Sequence, residues 1–303
     1  MNESTNVLIL GYGEMGHAME SLLVNCHIID IWDKFPQAGF HSVTLEDCVP
    51  RADIIIFCLP VNPHREVVEQ INPLLAEKTI CLSIAKGLDE NGQTAAQIFE
   101  QVLHNRPYAL LYGPMISEEI RAGRYAFAQV GCKDDIVYQR VCSLFSKTKL
   151  FTEQTNDIAG ISWSVILKNV YAIVFGMADE LRLGDNMRGF LMVAALHELE
   201  QIVMQMGGKP ASPFHLAGLG DLVTTATSED SHHHELGKIL ARDETRNITG
   251  EGVHTLQMVE KHHLLNTAGF PLLFLIQQIV KQPGQAAQKI DAFIQQLHTN
   301  RDS

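Results

Sequence analysis

Gly11-Tyr12-Gly13-Glu14-Met15-Gly16 is a GxGxxG, a spacing suited to cradling a diphosphate between a strand and a helix. Gly11 makes the tight turn, Gly13 lets the main chain close on the anion, and Gly16 lets the helix lie against the strand. Free N–H groups at the helix start then hold the negative charge, with Tyr12, Glu14 and Met15 on the same turn. A glycine turn with no ligand has the same sequence, so context decides. Here an apolar run, Asn6–Leu10, precedes the motif and an amphipathic stretch, Met15–Val24, follows it. Asp33 ends the next apolar run, 17 residues after Gly16. That is close to the roughly 20 expected of the carboxylate that accepts the ribose hydroxyls of NAD and repels the extra phosphate of NADP. Lys34 partly offsets that repulsion, so NAD is the first choice of cofactor and NADP the second. Asp30 competes for the ribose but sits within the run rather than at its end. Cys58-Leu59-Pro60-Val61 ends the third run, where Leu59 and Pro60 are placed to flank the adenosine.

Two lysines stand out by placement. Lys86 follows the run Thr79–Ile84 and precedes Gly87, which puts it at the carboxyl edge of a sheet. Lys168 lies inside the apolar run Val165–Val174. A lysine there either snorkels to solvent or is desolvated. Burial and a second cation both lower an amine's pKa toward a value useful for proton transfer. Carbonyl reduction needs a hydride, a proton for the nascent alkoxide and positive charge near that oxygen, and a lysine can supply the last two. Asp221 follows a glycine-rich turn and starts a helix, where an aspartate is often a simple N-cap.

These residues need elements to hold them. The first half of the chain alternates short apolar runs (Asn6–Leu10, Ile28–Trp32, Ile54–Leu59, Thr79–Ile84, Tyr108–Tyr112, Tyr125–Val130) with amphipathic stretches such as Met15–Val24 and Val67–Leu75. That alternation predicts a doubly wound, mostly parallel α/β sheet, a Rossmann domain, with helices on both faces. From Ala159 to Met206 there is no proline and the pattern reads as long helices. It resumes at Gly252–His262, at Pro271–Lys281 and after Pro283. A domain boundary is expected at about residue 153, giving a dinucleotide-binding domain over 1–153 and an all-α domain over 154–303.

The bulk properties narrow the function further. Hydrophobic residues make up 46% of 303 residues and the formal net charge is −12, so a core can form and non-specific nucleic-acid binding is not expected. No charge-free apolar run approaches the ~20 residues of a membrane span, and the polar start of the chain predicts no signal peptide. The six cysteines include no CxxC pair, which points to a reducing, cytoplasmic setting rather than to disulfides or structural zinc. No metal site is expected.

The chain resembles the NAD(P)-dependent glycerol-3-phosphate dehydrogenases. The likeness runs over nearly the whole length. It is carried by the GxGxxG, Ser83-Ile84-Ala85-Lys86-Gly87, Gly113-Pro114-Met115-Ile116-Ser117-Glu118-Glu119, Leu167-Lys168-Asn169-Val170 and Leu183-Gly184-Asp185-Asn186. Further on come Gly218-Leu219-Gly220-Asp221-Leu222-Val223-Thr224-Thr225 and Glu251-Gly252-Val253-His254-Thr255. The resemblance implies a second domain like the C-terminal domain of 6-phosphogluconate dehydrogenase. It also implies reversible reduction of dihydroxyacetone phosphate, a small phosphorylated three-carbon substrate, in glycerolipid precursor supply. It makes Lys168 the proton donor and carbonyl polariser, Lys86 its cationic neighbour and Asp221 an active-site carboxylate. Asn169, Thr225 and Gly113 are then substrate contacts, Glu251 lies near the cofactor's ribose or nicotinamide, and the assembly is a homodimer.

Two departures stand against the family pattern. Where the family carries Ser-Arg-Asn to hold phosphate, this chain has Ser231-His232-His233. Histidine gives only part of a charge near neutrality, so a phosphate grip by His232 and His233 would weaken as pH rises through ~6.5. The triplet His232–His234 is otherwise a solvated loop or a metal ligand set. Before Lys168 the family's small residues are replaced by Ser162-Trp163-Ser164-Val165-Ile166, with Trp163 and Val165 filling space. The competing functions are therefore a related dehydrogenase of another small carbonyl, such as a 2-keto acid, and a non-catalytic NAD(H) sensor.

Overall fold

The structure, a computed structural model, describes residues 4–37, 40, 42–228, 231–242, 244 and 248–299. Its contacts divide into two compact units, Met1–Ser162 and Trp163–Ser303.

The first unit is built on a seven-stranded sheet in the order β2-β1-β3-β4-β5-β6-β7. The strands are β1 (Asn6–Leu10), β2 (Ile28–Trp32), β3 (Ile54–Phe57), β4 (Ile80–Ser83), β5 (Tyr108–Tyr112), β6 (Ala126–Gly131) and β7 (Leu150–Thr155). All pairs are parallel except β5–β6. Each apolar strand serves two layers, because successive side chains leave opposite faces. Val7 and Ile9 enter the layer with Ala18, Met19 and Leu23 of α1 (Glu14–Leu23) and with Val141 and Leu144 of α6 (Asp135–Phe145). Leu8 and Leu10 enter the other, with Val67, Val68 and Ile71 of α3 (His64–Ile71) and Phe99 of α4 (Ala95–Leu103). Between them come α2 (Leu45–Cys48) and α5 (Ser117–Arg121). From β1 the chain crosses to β2 on one side and returns to β3 on the other. The sheet therefore reverses direction at the carboxyl ends of β1 and β3, where α/β sheets bind ligands.

All six expected strands form: β1, β2 and β5 with the expected ends, and β3, β4 and β6 with ends shifted by a residue or two. The seventh, β7, carries no apolar run. Only Leu150 of its six residues is buried, because it is the last strand in the order and has a neighbour on one side only.

The second unit is helical: most of α7 (Ile158–Glu180), then α8 (Asp185–Gln205), α9 (Asp221–Thr227), α10 (His232–Ala241), α11 (Glu251–Lys261), α12 (Pro271–Lys281) and α13 (Ala286–Thr299). By length and composition alone α7 is apolar enough to cross a membrane, but 94% of its most apolar window is buried inside the protein. Buried Glu198 of α8 accepts from the N–H groups of Leu272 and Leu273, satisfying donors that the start of α12 leaves open. The histidine triplet is not a loop. Ser231 accepts from the His234 N–H and caps α10, so the three histidines form its first turn.

Candidate active site

In the first unit the glycine turn has the shape a diphosphate requires. Gly11 has φ +94°, and a Cβ there would lie 2.7 Å from the Cys58 carbonyl oxygen and the Leu59 side chain. A Cβ on Gly16 would lie 2.2 Å from the Gly11 carbonyl oxygen, so only glycine lets α1 start this close to the turn. A Cβ on Gly13 would meet nothing within 4 Å, and the first turn of a helix leaves its N–H groups without partners in the helix. This cradle fits a dinucleotide's diphosphate.

The remaining cofactor candidates gather at the same edge. Asp33 accepts from the N–H groups of Tyr12 and Phe35, each at 2.7 Å, so its carboxylate is fixed beside the glycine turn. Tyr12 stacks on His17 and Phe40 at 3.8 and 4.6 Å between centroids. Its hydroxyl bonds Glu20, and burial with that bond pushes the phenol up to about 12. Met15 packs on the sheet, exposed Glu14 pairs with Arg121 at 2.5 Å, and Lys34 pairs with Glu66 at 2.8 Å. Pro60 gives its carbonyl to His64.

Lys86 lies just beyond β4, and its ammonium donates to the Gly113 carbonyl at 3.3 Å. Those two candidates, 27 residues apart, meet at the carboxyl edges of neighbouring strands β4 and β5.

In the second unit Lys168 does not snorkel. Its side chain and that of Asp221 are 6% and 4% exposed, and Nζ lies 3.2 Å from Asp221 Oδ1. Nζ also donates to Thr225 Oγ1 at 2.6 Å, and that hydroxyl donates to the Asp221 carbonyl at 2.7 Å. The aspartate held against Lys168 is placed to orient its ammonium. Asp221 is not an N-cap: Gly220 holds that position and Asp221 is the first helical residue. A π-turn, Leu216–Gly220, delivers it. Such wide turns recur at functional sites. Desolvating an ion pair costs several kcal/mol per ion, so this one is better explained by chemistry than by stability.

Next to Lys168, buried Asn169 donates to Glu251 Oε2 at 3.0 Å. A Cβ on Gly252 would meet the Asn169 carbonyl at 2.8 Å, so glycine lets α11 close on α7 and brings Glu251 to this point. Trp163 and Val165 are both buried. His232 is exposed and His233 half-buried, while His234 is buried with Nε2 2.7 Å from Asp179. Among the described residues no group of three or more His, Cys, Asp or Glu is placed to hold a metal.

Sequence reasoning passed over His64, Ser83 and Tyr112, which surround the Lys86 turn. The available signal was Ser83, the polar residue that ends β4 three positions before the lysine.

The family model of the NAD-dependent glycerol-3-phosphate dehydrogenase N-terminus matches residues 34–137, and that of the C-terminus matches residues 157–291. A glycerol-3-phosphate dehydrogenase [NAD(P)+] of Agrobacterium fabrum is 32% identical over 80% of this chain and 82% of its own. One of Alcanivorax borkumensis is 26% identical over 97% and 94%. The crystal structure of the glycerol-3-phosphate dehydrogenase of Coxiella burnetii shares the fold, with a TM-score of 0.83 at 22% identity over 96% of this chain and 99% of that one. With a cofactor cradle at the sheet's reversal point and a buried lysine–aspartate pair in the helical unit, the chain belongs to the NAD-dependent glycerol-3-phosphate dehydrogenase family.

Proposed function

We propose that this chain catalyses the reversible reduction of dihydroxyacetone phosphate to sn-glycerol 3-phosphate, with NAD as the preferred cofactor and NADP as the second. The observation that carries this reading is the buried pair of Lys168 and Asp221, tied through Thr225, in a member of this family. When bound, the reduced nicotinamide is the source of the hydride. Lys168 offsets the negative charge growing on the carbonyl oxygen and gives that oxygen a proton, the two tasks left once the hydride is supplied. Asp221 orients the ammonium and accepts from a substrate hydroxyl, and Lys86 adds a second positive charge. Asn169, Thr225 and Gly113 contact the substrate and Glu251 the cofactor's ribose or nicotinamide end. His232 and His233, on the first turn of α10, hold the phosphate with help from that helix's positive end.

On unit 1, Gly11, Tyr12, Gly13, Glu14, Met15 and Gly16 hold the diphosphate, Asp33 and Lys34 the ribose, and Leu59 and Pro60 the adenosine. In functional terms residues 1–153 bind the cofactor and residues 154–303 carry the substrate chemistry. The same reading places the protein in the cytoplasm as a homodimer. All six cysteines are free thiols, as a reducing compartment requires. Exposed Phe190, Val193 and Met204 lie at helical spacing along α8, a stripe that suits a self-association surface.

The deciding experiment is steady-state oxidation of NADH with dihydroxyacetone phosphate. Turnover is expected, and NADH binding without turnover would sink the reading. One observation favours a second substrate, a small unphosphorylated carbonyl: His232 occupies the position of the family's phosphate-holding arginine. Faster turnover of a 2-keto acid in the same assay would select it.

A further inference from the structure

His64 is fully buried at the start of α3, and both of its ring nitrogens are engaged. Nδ1 lies 2.8 Å from the Pro60 carbonyl oxygen, and Nε2 lies 2.9 Å from Ser83 Oγ. A carbonyl only accepts, so Nδ1 carries the proton, Nε2 is the acceptor and the Ser83 hydroxyl donates to it. The same hydroxyl oxygen accepts from the Ala85 N–H at 3.2 Å. The Ala85 carbonyl in turn accepts from the buried Tyr112 hydroxyl at 2.9 Å. Phe57 and Phe99 pack on the imidazole, with ring centroids at 5.1 and 5.9 Å. Burial there drives its pKa down to about 4. The neutral ring that results is the only form with an acceptor on Nε2.

Both main-chain polar groups of Ala85 are therefore held by side chains, and the next residue is Lys86. We propose that His64, Ser83 and Tyr112 are positioning residues that set the direction of the Lys86 ammonium, and that His64 fixes this turn relative to the Pro60 turn flanking the cofactor. Three polar side chains in such apolar surroundings are costly unless every bond is made. Apolar residues would fill the same volume without that cost, so packing alone does not account for them. The carboxyl ends of β4 and β5 and the segment after β3 meet in this one network, which makes the spacing of the cofactor flank and the cation a single rigid quantity.

The inference rests on the role given to Lys86 under Proposed function. Its test uses Ser83→Ala and Tyr112→Phe, which each cut one arm to Ala85, and the pair His64→Gln and His64→Leu. An amide can both donate to the Pro60 carbonyl and accept from Ser83, and leucine can do neither. Each arm-cutting variant should lower kcat with dihydroxyacetone phosphate about tenfold, since small misplacements of reacting groups carry large rate penalties. The dissociation constant of NADH, read by fluorescence titration, should stay within about twofold. His64→Gln should retain clearly more kcat than His64→Leu. In Ser83→Ala, amide exchange over residues 84–87 should quicken. Unchanged kcat in both arm-cutting variants, or NADH affinity falling in step with kcat, overturns the proposal. If Ser83→Ala does not fold, Tyr112→Phe decides alone. If the wild-type protein does not reduce dihydroxyacetone phosphate, the proposed function fails separately, and the exchange rates judge the positioning: unaltered exchange over 84–87 in Tyr112→Phe and Ser83→Ala overturns it.

Discussion

Lys168 and Asp221 illustrate what a single side chain can and cannot reveal. A lysine inside Val165–Val174 is conspicuous in sequence because water is where its charge belongs. Its partners are not conspicuous, since Thr225 lies 57 residues further on and reaches it only through the fold. Lys168→Ala should reduce kcat by about a hundredfold or more while leaving NADH affinity near the wild-type value, measured by stopped-flow reduction and fluorescence titration. Removing one member of a buried pair also costs about 3–5 kcal/mol. Adding Asp221→Asn to Lys168→Ala should therefore raise the melting temperature again without restoring turnover. His64 gives a prediction with a definite sign. Its pKa is about 6.5 in an unfolded chain and about 4 in the folded one. Between those values the unfolded state binds more protons, so stability rises with pH across that window and is lost as pH falls through it. At pH 5 the loss should be about 2 kcal/mol relative to pH 7. Urea denaturation at both pH values should show that difference shrinking in His64→Gln. An equal pH dependence in the two proteins would contradict the buried neutral imidazole.

At the scale of elements, the turn between β1 and α1 separates two uses of glycine. Gly16 serves packing, since its Cβ would run into the Gly11 carbonyl, whereas Gly13 faces open space with φ −81°, which alanine adopts freely. Gly16→Ala should lower both the melting temperature and NADH affinity. Gly13→Ala should leave the melting temperature within about a degree yet weaken NADH about tenfold or more, because a methyl group there meets only the ligand. A Gly13→Ala protein that binds NADH as tightly as wild type would move the diphosphate elsewhere. The same scale shows why some elements could be read in advance and others not. Strands β1, β3, β4 and β5 are buried on both faces, and such near-continuous apolar runs announce themselves. β7 is polar and mostly exposed, so nothing in its composition separates it from a loop. The first turn of α10 is three histidines, a composition without helical period, and it is helical because Ser231 caps it and because His234 is drawn inward to Asp179.

For the whole molecule, the surface chemistry of α8 bears on self-association. Val193 is 56% exposed and Met204 54%, on a helix whose other face supplies buried Leu199, Ile202 and Val203. If this stripe joins two copies, Val193→Glu should give a monomer in sedimentation equilibrium while circular dichroism stays unchanged. A dimer that persists in Val193→Glu would place the interface on another surface. The order of elements, the glycine turn and the oddity of a lysine in an apolar run were readable from the chain, because periodicity, glycine spacing and a misplaced charge are local properties. Which hydroxyl meets the Lys168 ammonium, which side chains clamp the turn before Lys86 and which polar strand closes the sheet were settled by packing alone. Those facts join residues far apart along the chain, and no local pattern records a contact that only folding creates.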